Sequence, residues 1–242
     1  MDYESLLDIL QRRRNIRRMK SDPVPDELIE KVIEAARWAP SGDNTQPWEF
    51  IVVKDPDTIS RIADVYLEQT ERRVVDKMGF PRINRTWLKR VPAMVVICCD
   101  PRYRRAYPYL EGDDEKARGI QKNGERILYM GMGAAIQNFH LAVTALGLAT
   151  AWMTGVGETI DMRKAQEILG VPEQIELVMV APLGYPPAVP KPGPRKELPR
   201  LIHRELYDMS RFVDDEAMLK RIKDRRARLS PGAEPDVHLN AD

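Results

Sequence analysis

Only two cysteines occur in the 242 residues, and they are neighbours, Cys98 and Cys99. Adjacent strand residues face opposite ways, so these two are not expected to bond to each other. Nothing resembles a disulfide framework or the Cys/His spacing of a metal site, which points to a reducing compartment. Net charge is nearly absent as well: 38 Lys and Arg against 37 Asp and Glu leave +1. A general attraction to nucleic acid or to an acidic membrane is therefore not expected. No run reaches the roughly 20 apolar residues of a membrane span. The opening Met1-Asp2-Tyr3-Glu4 has none of the apolar core of a signal peptide. Together these absences predict a cytoplasmic protein without nucleic-acid or membrane partners. Internal repeats and a glycine-rich nucleotide fingerprint after a strand are also missing.

What is present is an ordinary soluble balance, 43% hydrophobic and 31% charged, with enough apolar material for a sizeable core. Tyr3 to Arg12 reads as a short amphipathic helix. A second helix begins at Pro25, with Asp26 and Glu27 in its first turn and Leu28, Ile29, Val32, Ile33 and Ala36 on one face. It ends near Ala39-Pro40, because the residue before proline avoids helical geometry. Phe50–Val53 is a short strand, Thr58 to about Arg73 a helix, and Met78–Val91 irregular. Ala93–Cys99 is the continuous apolar run of a central strand. Arg102–Lys116 is polar and reads as a surface loop or lid.

The longest helix runs from Gly119 to Leu146, roughly 40 Å at 1.5 Å per residue, and closes at Gly147. Its second half is apolar almost all round, so it is either a core helix of one subunit or a helix shared with a partner. Leu148–Met153 suggests a strand and Asp161–Leu169 a short helix closed by Gly170. Ile175–Leu183 is a strand that Pro182 breaks near its end. After a proline-rich stretch, helices are expected near Ile202–Tyr207 and Glu216–Arg228, followed by a polar, disordered tail from Ser230. Helices outnumber strands and no second core is evident, so the reading is a single α+β domain. Residues 1–210 would form that domain, and residues 211–242 a C-terminal extension.

Two places look built for more than packing. Arg13-Arg14-Asn15, with Arg17 close by, offers planar cationic donors suited to phosphate and an amide suited to a polar ring edge. A solvated basic turn would read the same way. Pro40-Ser41-Gly42-Asp43-Asn44-Thr45-Gln46-Pro47-Trp48 packs short donors and acceptors between two apolar elements. Gly42 there permits unusual backbone angles, and Pro47 stiffens the exit. This loop could be a ligand cradle or only a capped connection. His140, within the apolar helix, reads as a hydrogen-bonded core residue; His203 and His238 read as surface residues.

The order of arginine turn, second helix and then Pro-Ser-Gly-x-Asn-x-Gln-Pro-Trp before a strand resembles the nitroreductase superfamily. The resemblance runs on through Leu146-Gly147-Leu148, the Gly155 region and the strand Glu176–Gly184. It implies an α+β fold with a central, mainly antiparallel sheet flanked by helices, and a long central helix in an intertwined homodimer. It also implies FMN at the subunit interface. Arg13, Arg14, Asn15 and Arg17 would meet the flavin from one subunit; Pro40, Ser41, Gly42, Asn44 and Gln46 would come from the other. Thr154 and Gly155 match the segment near flavin N5, Arg195 and Lys196 match late basic phosphate contacts, and Asn84 or Arg85 matches a further polar contact. Two departures stand out: Asn15 replaces the commoner serine, and Thr154 occupies a place where some members carry an acid.

The implied activity is ping-pong transfer of electrons from NAD(P)H through FMN to an electron-poor acceptor, such as a nitroaromatic or quinone. No protein nucleophile and no metal is implied. Specialised relatives leave reductive dehalogenation, flavin fragmentation, FMN-dependent dehydrogenation, or flavin sensing without turnover as alternatives.

Overall fold

The structure, a computed structural model, describes residues 2–76 and 83–229. The tail expected from Ser230 onward, His238, and the 78–82 part of the irregular stretch lie outside the described residues. The elements are α1 (Tyr3–Arg12), α2 (Asp26–Arg37), β1 (Trp48–Val53), α3 (Pro56–Val75), β2 (Ala93–Cys99), α4 (Glu115–Ala145), β3 (Ala149–Thr150), α5 (Thr159–Leu169), β4 (Glu176–Gly184) and α6 (Asp215–Leu229), joined by short 3₁₀ turns. The described chain divides into two compact units. Met1–Tyr66 with Arg85–Pro192 forms one; Leu67–Asn84 with Gly193–Asp242 forms the other.

The first unit contains the whole sheet, four strands in the order β1-β2-β4-β3, with every pairing antiparallel. All seven residues of β2 are buried. The reason is that both sheet faces are covered. Ala93, Val95, Ile97 and Cys99 join a core with Val32 and Ala36 of α2 and Leu128, Met132, Ile136 and Phe139 of α4. Met94, Val96 and Cys98 join a second core with Ile59, Ile62 and Tyr66 of α3 and Ala165 of α5. The two cysteines accordingly lie on opposite faces, free and buried. Burial pushes both thiols up to about 12, which keeps them protonated and inert. The β2–β4 register shifts between Ile97 and Cys98, where Val178 is the extra residue of a bulge. That slip lets Leu177 and Met179, two apart, enter opposite cores.

Helix ends follow local chemistry. The Asp2 carboxylate accepts from Ser5 N at 2.8 Å and opens α1, and the Asp114 carboxylate accepts from Ala117 N at 2.7 Å and opens α4 four residues before the apolar pattern suggests. Pro25 is the residue just before α2 rather than its first helical residue. Gly147 and Gly170 adopt left-handed φ of 70° and 68° after α4 and α5.

Three sequence expectations are corrected. The strand expected over Leu148–Met153 shrinks to Ala149–Thr150 plus an isolated bridge from Met153 to Val180. Pro182 does not break β4, because it remains paired with Met94 of β2. Val180 donates its N–H to Met153 O, toward the β3 side. Two residues on, the N–H that Pro182 lacks would point to that same side, opposite Ala151. The proline thus interrupts the short β3 ladder, not the strand that carries it.

The third correction belongs to the second unit. Ile202–Tyr207 is not helical; Glu205 takes a φ of 62° there. The segment is held by a His203–Tyr207 ring stack at 4.3 Å and by Asp208 N donating to His203 Nδ1 at 2.9 Å. The Arg211 guanidinium adds bonds to the carbonyls of Pro199 and Ile202.

Candidate functional site

The arginine turn follows α1 directly and is tied to the sheet. Ile16 N donates to Thr150 O at 2.9 Å. Arg13 and Arg14 are half-buried, whereas Asn15 and Arg17 are exposed. The Arg14 guanidinium faces backbone carbonyls, donating to Arg13 O at 2.6 Å, to Pro190 O at 3.2 Å and to Gln11 O. Asn15 Oδ1 accepts from Trp152 N at 3.0 Å, a link across 137 residues. Because a backbone N–H occupies Oδ1, the amide NH₂ of Asn15 is the end left to meet a ligand acceptor.

Thr154 and Gly155 lie just beyond, in a 3₁₀ turn over Gly155–Gly157. Thr154 is exposed and Gly155 half-buried. From below, the buried Tyr66 hydroxyl donates to Met153 O at 3.1 Å and accepts from Val156 N–H. The Arg85 guanidinium lies 5.4 Å from the Tyr66 ring centre. Burial raises the Tyr66 pKa well above its ordinary value.

His140 lies on α4, its ring stacked on Trp152 at 4.9 Å and 14° from parallel. The expectation of a hydrogen-bonded histidine is corrected: it is buried, but neither ring nitrogen has a partner among the described residues. Burial, with a smaller contribution from Arg13, lowers its pKa to about 3, so the ring is neutral.

The loop from Pro40 to Trp48 rests on the middle of α4. A Cβ on Gly131 would meet Ser41 Cβ at 3.3 Å and Pro40 O at 3.4 Å. A Cβ on Gly42 would collide with Ile127 and come within 2.7 Å of the Tyr107 ring. Gly42 is therefore needed for close approach, not for unusual backbone angles. Those fall on Asp43, Asn44 and Gln46, at φ of 50°, 52° and 46°. Asn and Asp tolerate this region, but glutamine does so at a cost of roughly 1 kcal/mol. Hydrogen bonds over-determine the shape: Gln46 N donates to Ser41 Oγ at 3.0 Å, Asn44 N to Ser41 O at 3.1 Å, and Thr45 N to Gly42 O at 3.1 Å. Thr45 Oγ1 also bonds the Tyr107 hydroxyl at 3.0 Å.

Tyr107 lies outside the expected set of site residues. It is 7% exposed although its sequence neighbourhood is polar, and only its flanking Pro108 hinted at an ordered position. With Ile120, Asn123 and Ile127 it lines a cavity of about 710 Å³, bordered by Asp114, Glu115 and Lys116. A second cavity, of about 70 Å³, lies between Arg12, Arg14 and Ile16 and the end of α4 at Val143, Thr144 and Gly147.

The structure thus joins Asn15 to the turn carrying Thr154 and Gly155. It sets Pro40, Ser41, Gly42, Asn44 and Gln46 together elsewhere on α4. Asn84, Arg195 and Lys196 belong to the second unit, where Arg195 donates to the carbonyls of Gly193 and Pro194. Among the described residues no group of His, Cys, Asp and Glu could hold a metal ion, and no helix is long and apolar enough to cross a membrane.

The sequence profile of the Nitroreductase family matches residues 10–185. The chain belongs to that family. The matched range contains the arginine turn, the 40–48 loop and the Thr154–Gly155 turn of this nitroreductase-family protein, and stops short of Arg195 and Lys196. It is 30% identical over 183 residues to an Archaeoglobus fulgidus protein named as an NADH dehydrogenase/NAD(P)H nitroreductase, covering 76% of this chain and 86% of that one. It is also 30% identical over 196 residues to iodotyrosine deiodinase 1 of Rattus norvegicus, covering 77% of this chain but only 64% of the deiodinase's length. Among solved structures, a BluB-like flavoprotein of Clostridium difficile superimposes with a TM-score of 0.64 at 26% identity, over 84% of this chain and 98% of that one.

Proposed function

We propose that this nitroreductase-family chain is an FMN-dependent oxidoreductase working as a homodimer, with NAD(P)H as reductant and an electron-poor small molecule as acceptor. One observation carries the reading. The loop sits at Ile127–Gly131 of α4 and the arginine turn near its His140–Gly147 end, their centres about 22 Å apart at 1.5 Å per residue. The 70 Å³ space beside the arginines is too small for a nucleotide, and the 710 Å³ cavity beside the loop is not lined by those arginines. Cofactor pockets run to about 300–1,000 Å³. A second copy of the chain, bringing its loop to the first copy's arginine turn, would complete one site.

The donor set fits FMN. Arg13, Arg14 and Arg17 are cations for its phosphate, which carries about −1.5 to −2 charges, and the Asn15 NH₂ suits a ring carbonyl. Arg14 would have to release carbonyls it now holds. Pro40, Ser41, Gly42, Asn44 and Gln46 would reach the flavin from the partner, Thr154 and Gly155 would border the ring, and Asn84, Arg195 and Lys196 would add contacts. When bound, FMN supplies the redox chemistry between NAD(P)H and a nitroaromatic, quinone or similar acceptor. The protein's own groups bind, orient and exclude water, so no nucleophile or general base is needed. The test is to offer FMN to purified protein and add NAD(P)H without oxygen. Yellow protein that bleaches, and recovers with a quinone, supports the reading; colourless protein sinks it.

The identity to the rat deiodinase favours a second reading, reductive removal of halide from a halogenated phenol. Iodide release from 3-iodotyrosine by the chemically reduced flavoprotein, without bleaching by NAD(P)H, would select it.

A further inference from the structure

We infer that Tyr66 is a positioning residue for the flavin, because its buried hydroxyl closes the turn that carries Thr154 and Gly155. This rests on the proposed placement of that turn beside FMN. Tyr66 is on α3, one position in the run Ile59, Ile62, Ala63 and Tyr66 that faces the core beneath β2 and β4. It is 1% exposed. It is the one hydroxyl in that run, and a buried hydroxyl without partners is costly.

Its partners are backbone groups of a single turn. The hydroxyl donates to Met153 O at 3.1 Å and accepts from Val156 N–H. Within the turn, Gly157 N donates to Thr154 O at 3.0 Å and Glu158 N to Gly155 O at 3.2 Å. Residues 151 and 152 are outside the sheet ladder, which resumes only at the Met153–Val180 bridge. The contacts that hold the turn include Asn15 Oδ1 at Trp152 N–H, the β4 bridge at Met153, and Tyr66 at both Met153 and Val156. Tyr66 grips both sides of the Thr154–Gly155 pair. A ring of fixed length, anchored in the core, thus sets how far the pair stands from the sheet. Backbone dipoles held at a flavin edge tune its electronics.

The experiment substitutes Tyr66→Phe in the full chain, keeping the ring and removing one oxygen. Hydrogen exchange is followed on the chain without FMN, and the reduction potential is measured on the flavin-loaded protein. Removing one partner of a buried bond speeds local opening by about tenfold or more. The expected result is faster exchange at Met153–Val156 together with a shifted potential. Unchanged exchange overturns the inference, and so does faster exchange with an unmoved potential. If wild-type protein binds no FMN, the flavin reading itself fails, while the exchange arm still decides whether Tyr66 holds the turn. Should Tyr66→Phe not fold, Asn15→Ala frees the same turn from an exposed position. Faster exchange at Trp152–Val156 in Asn15→Ala, restored in Asn15→Asp, whose carboxylate can still accept from Trp152 N–H, then supports a turn held by side chains outside the sheet, and unchanged exchange overturns it.

Discussion

His140 stacks on Trp152 with ring centres 4.9 Å apart, while both of its ring nitrogens are buried without a hydrogen-bond partner among the described residues. A phenyl ring would keep the stack and remove two orphaned nitrogens. His140→Phe is expected to stabilise the chain by about 1–2 kcal/mol, the scale of an unsatisfied buried polar group. The pH dependence gives a second readout. The folded pKa of about 3 is below the ordinary 6.5, so the unfolded chain takes up a proton in a window where the folded one does not. Stability from this group is complete above 6.5 and falls as pH drops from 6.5 toward 3. Urea titrations at several pH values should show that slope flattened in the variant; an unchanged slope would remove His140 as its source.

Two glycines on neighbouring surfaces should respond oppositely. Gly42→Ala drives a Cβ into Ile127 and Tyr107, and overpacking of this kind costs about 1–3 kcal/mol. A methyl group added at Gly133 on α4 would meet nothing within 4 Å in the single chain. Gly133→Ala should therefore raise stability by about 0.5–1 kcal/mol through helix propensity alone. If α4 is shared with a second copy, Gly133→Trp should lower the dimer fraction and FMN retention in gel filtration. Retention of both would make α4 a helix internal to one subunit.

Gln46 bears a left-handed φ of 46° that glycine would adopt freely. Gln46→Gly exchanges that strain for greater freedom in the unfolded chain, so stability should stay within about 1 kcal/mol of the parent. FMN affinity, read by flavin fluorescence quenching, should weaken as the loop loosens. Equal affinity would argue that the strained backbone has no part in binding.

Arg14 and Arg17 separate structural from ligand roles. Arg14 donates to the carbonyls of Gln11, Arg13 and Pro190, so Arg14→Ala should destabilise the flavin-free chain by about 1–2 kcal/mol and lower its melting temperature accordingly. Arg17, exposed and outside those contacts, should leave the melting temperature unchanged in Arg17→Ala while weakening FMN in a salt-dependent manner. Parallel melts with and without FMN check both.

What was legible in the chain follows from physical cause. β2 reads from sequence because helices cover both its faces, leaving an uninterrupted apolar run. α1 reads because its apolar residues keep helical spacing over Tyr3–Arg12. α4 starts earlier than its apolar pattern, since Asp114 rather than apolar content sets its beginning. The polar loop advertised itself through composition, yet which residues carry the unusual angles did not: Gly42 drew the expectation, while packing against Ile127 and Tyr107 shifts the strain to Asp43, Asn44 and Gln46. Residues 202–207 have helical apolar spacing, but the His203–Tyr207 stack and the Glu205 turn win over it. Tyr66 gave no local sign and His140 gave only its burial, because what matters about them is which distant backbone or ring they meet.

Pro182 has a consequence that reaches beyond the sheet. By withholding one donor opposite Ala151, it leaves residues 151 and 152 without the ladder that would otherwise dictate their geometry. The path of the chain there falls to remote side chains, among them those at positions 15, 66 and 140. Substitutions at those positions can re-aim the turn without disturbing strand register, so a lineage could retune this corner while inheriting the rest of the scaffold unaltered.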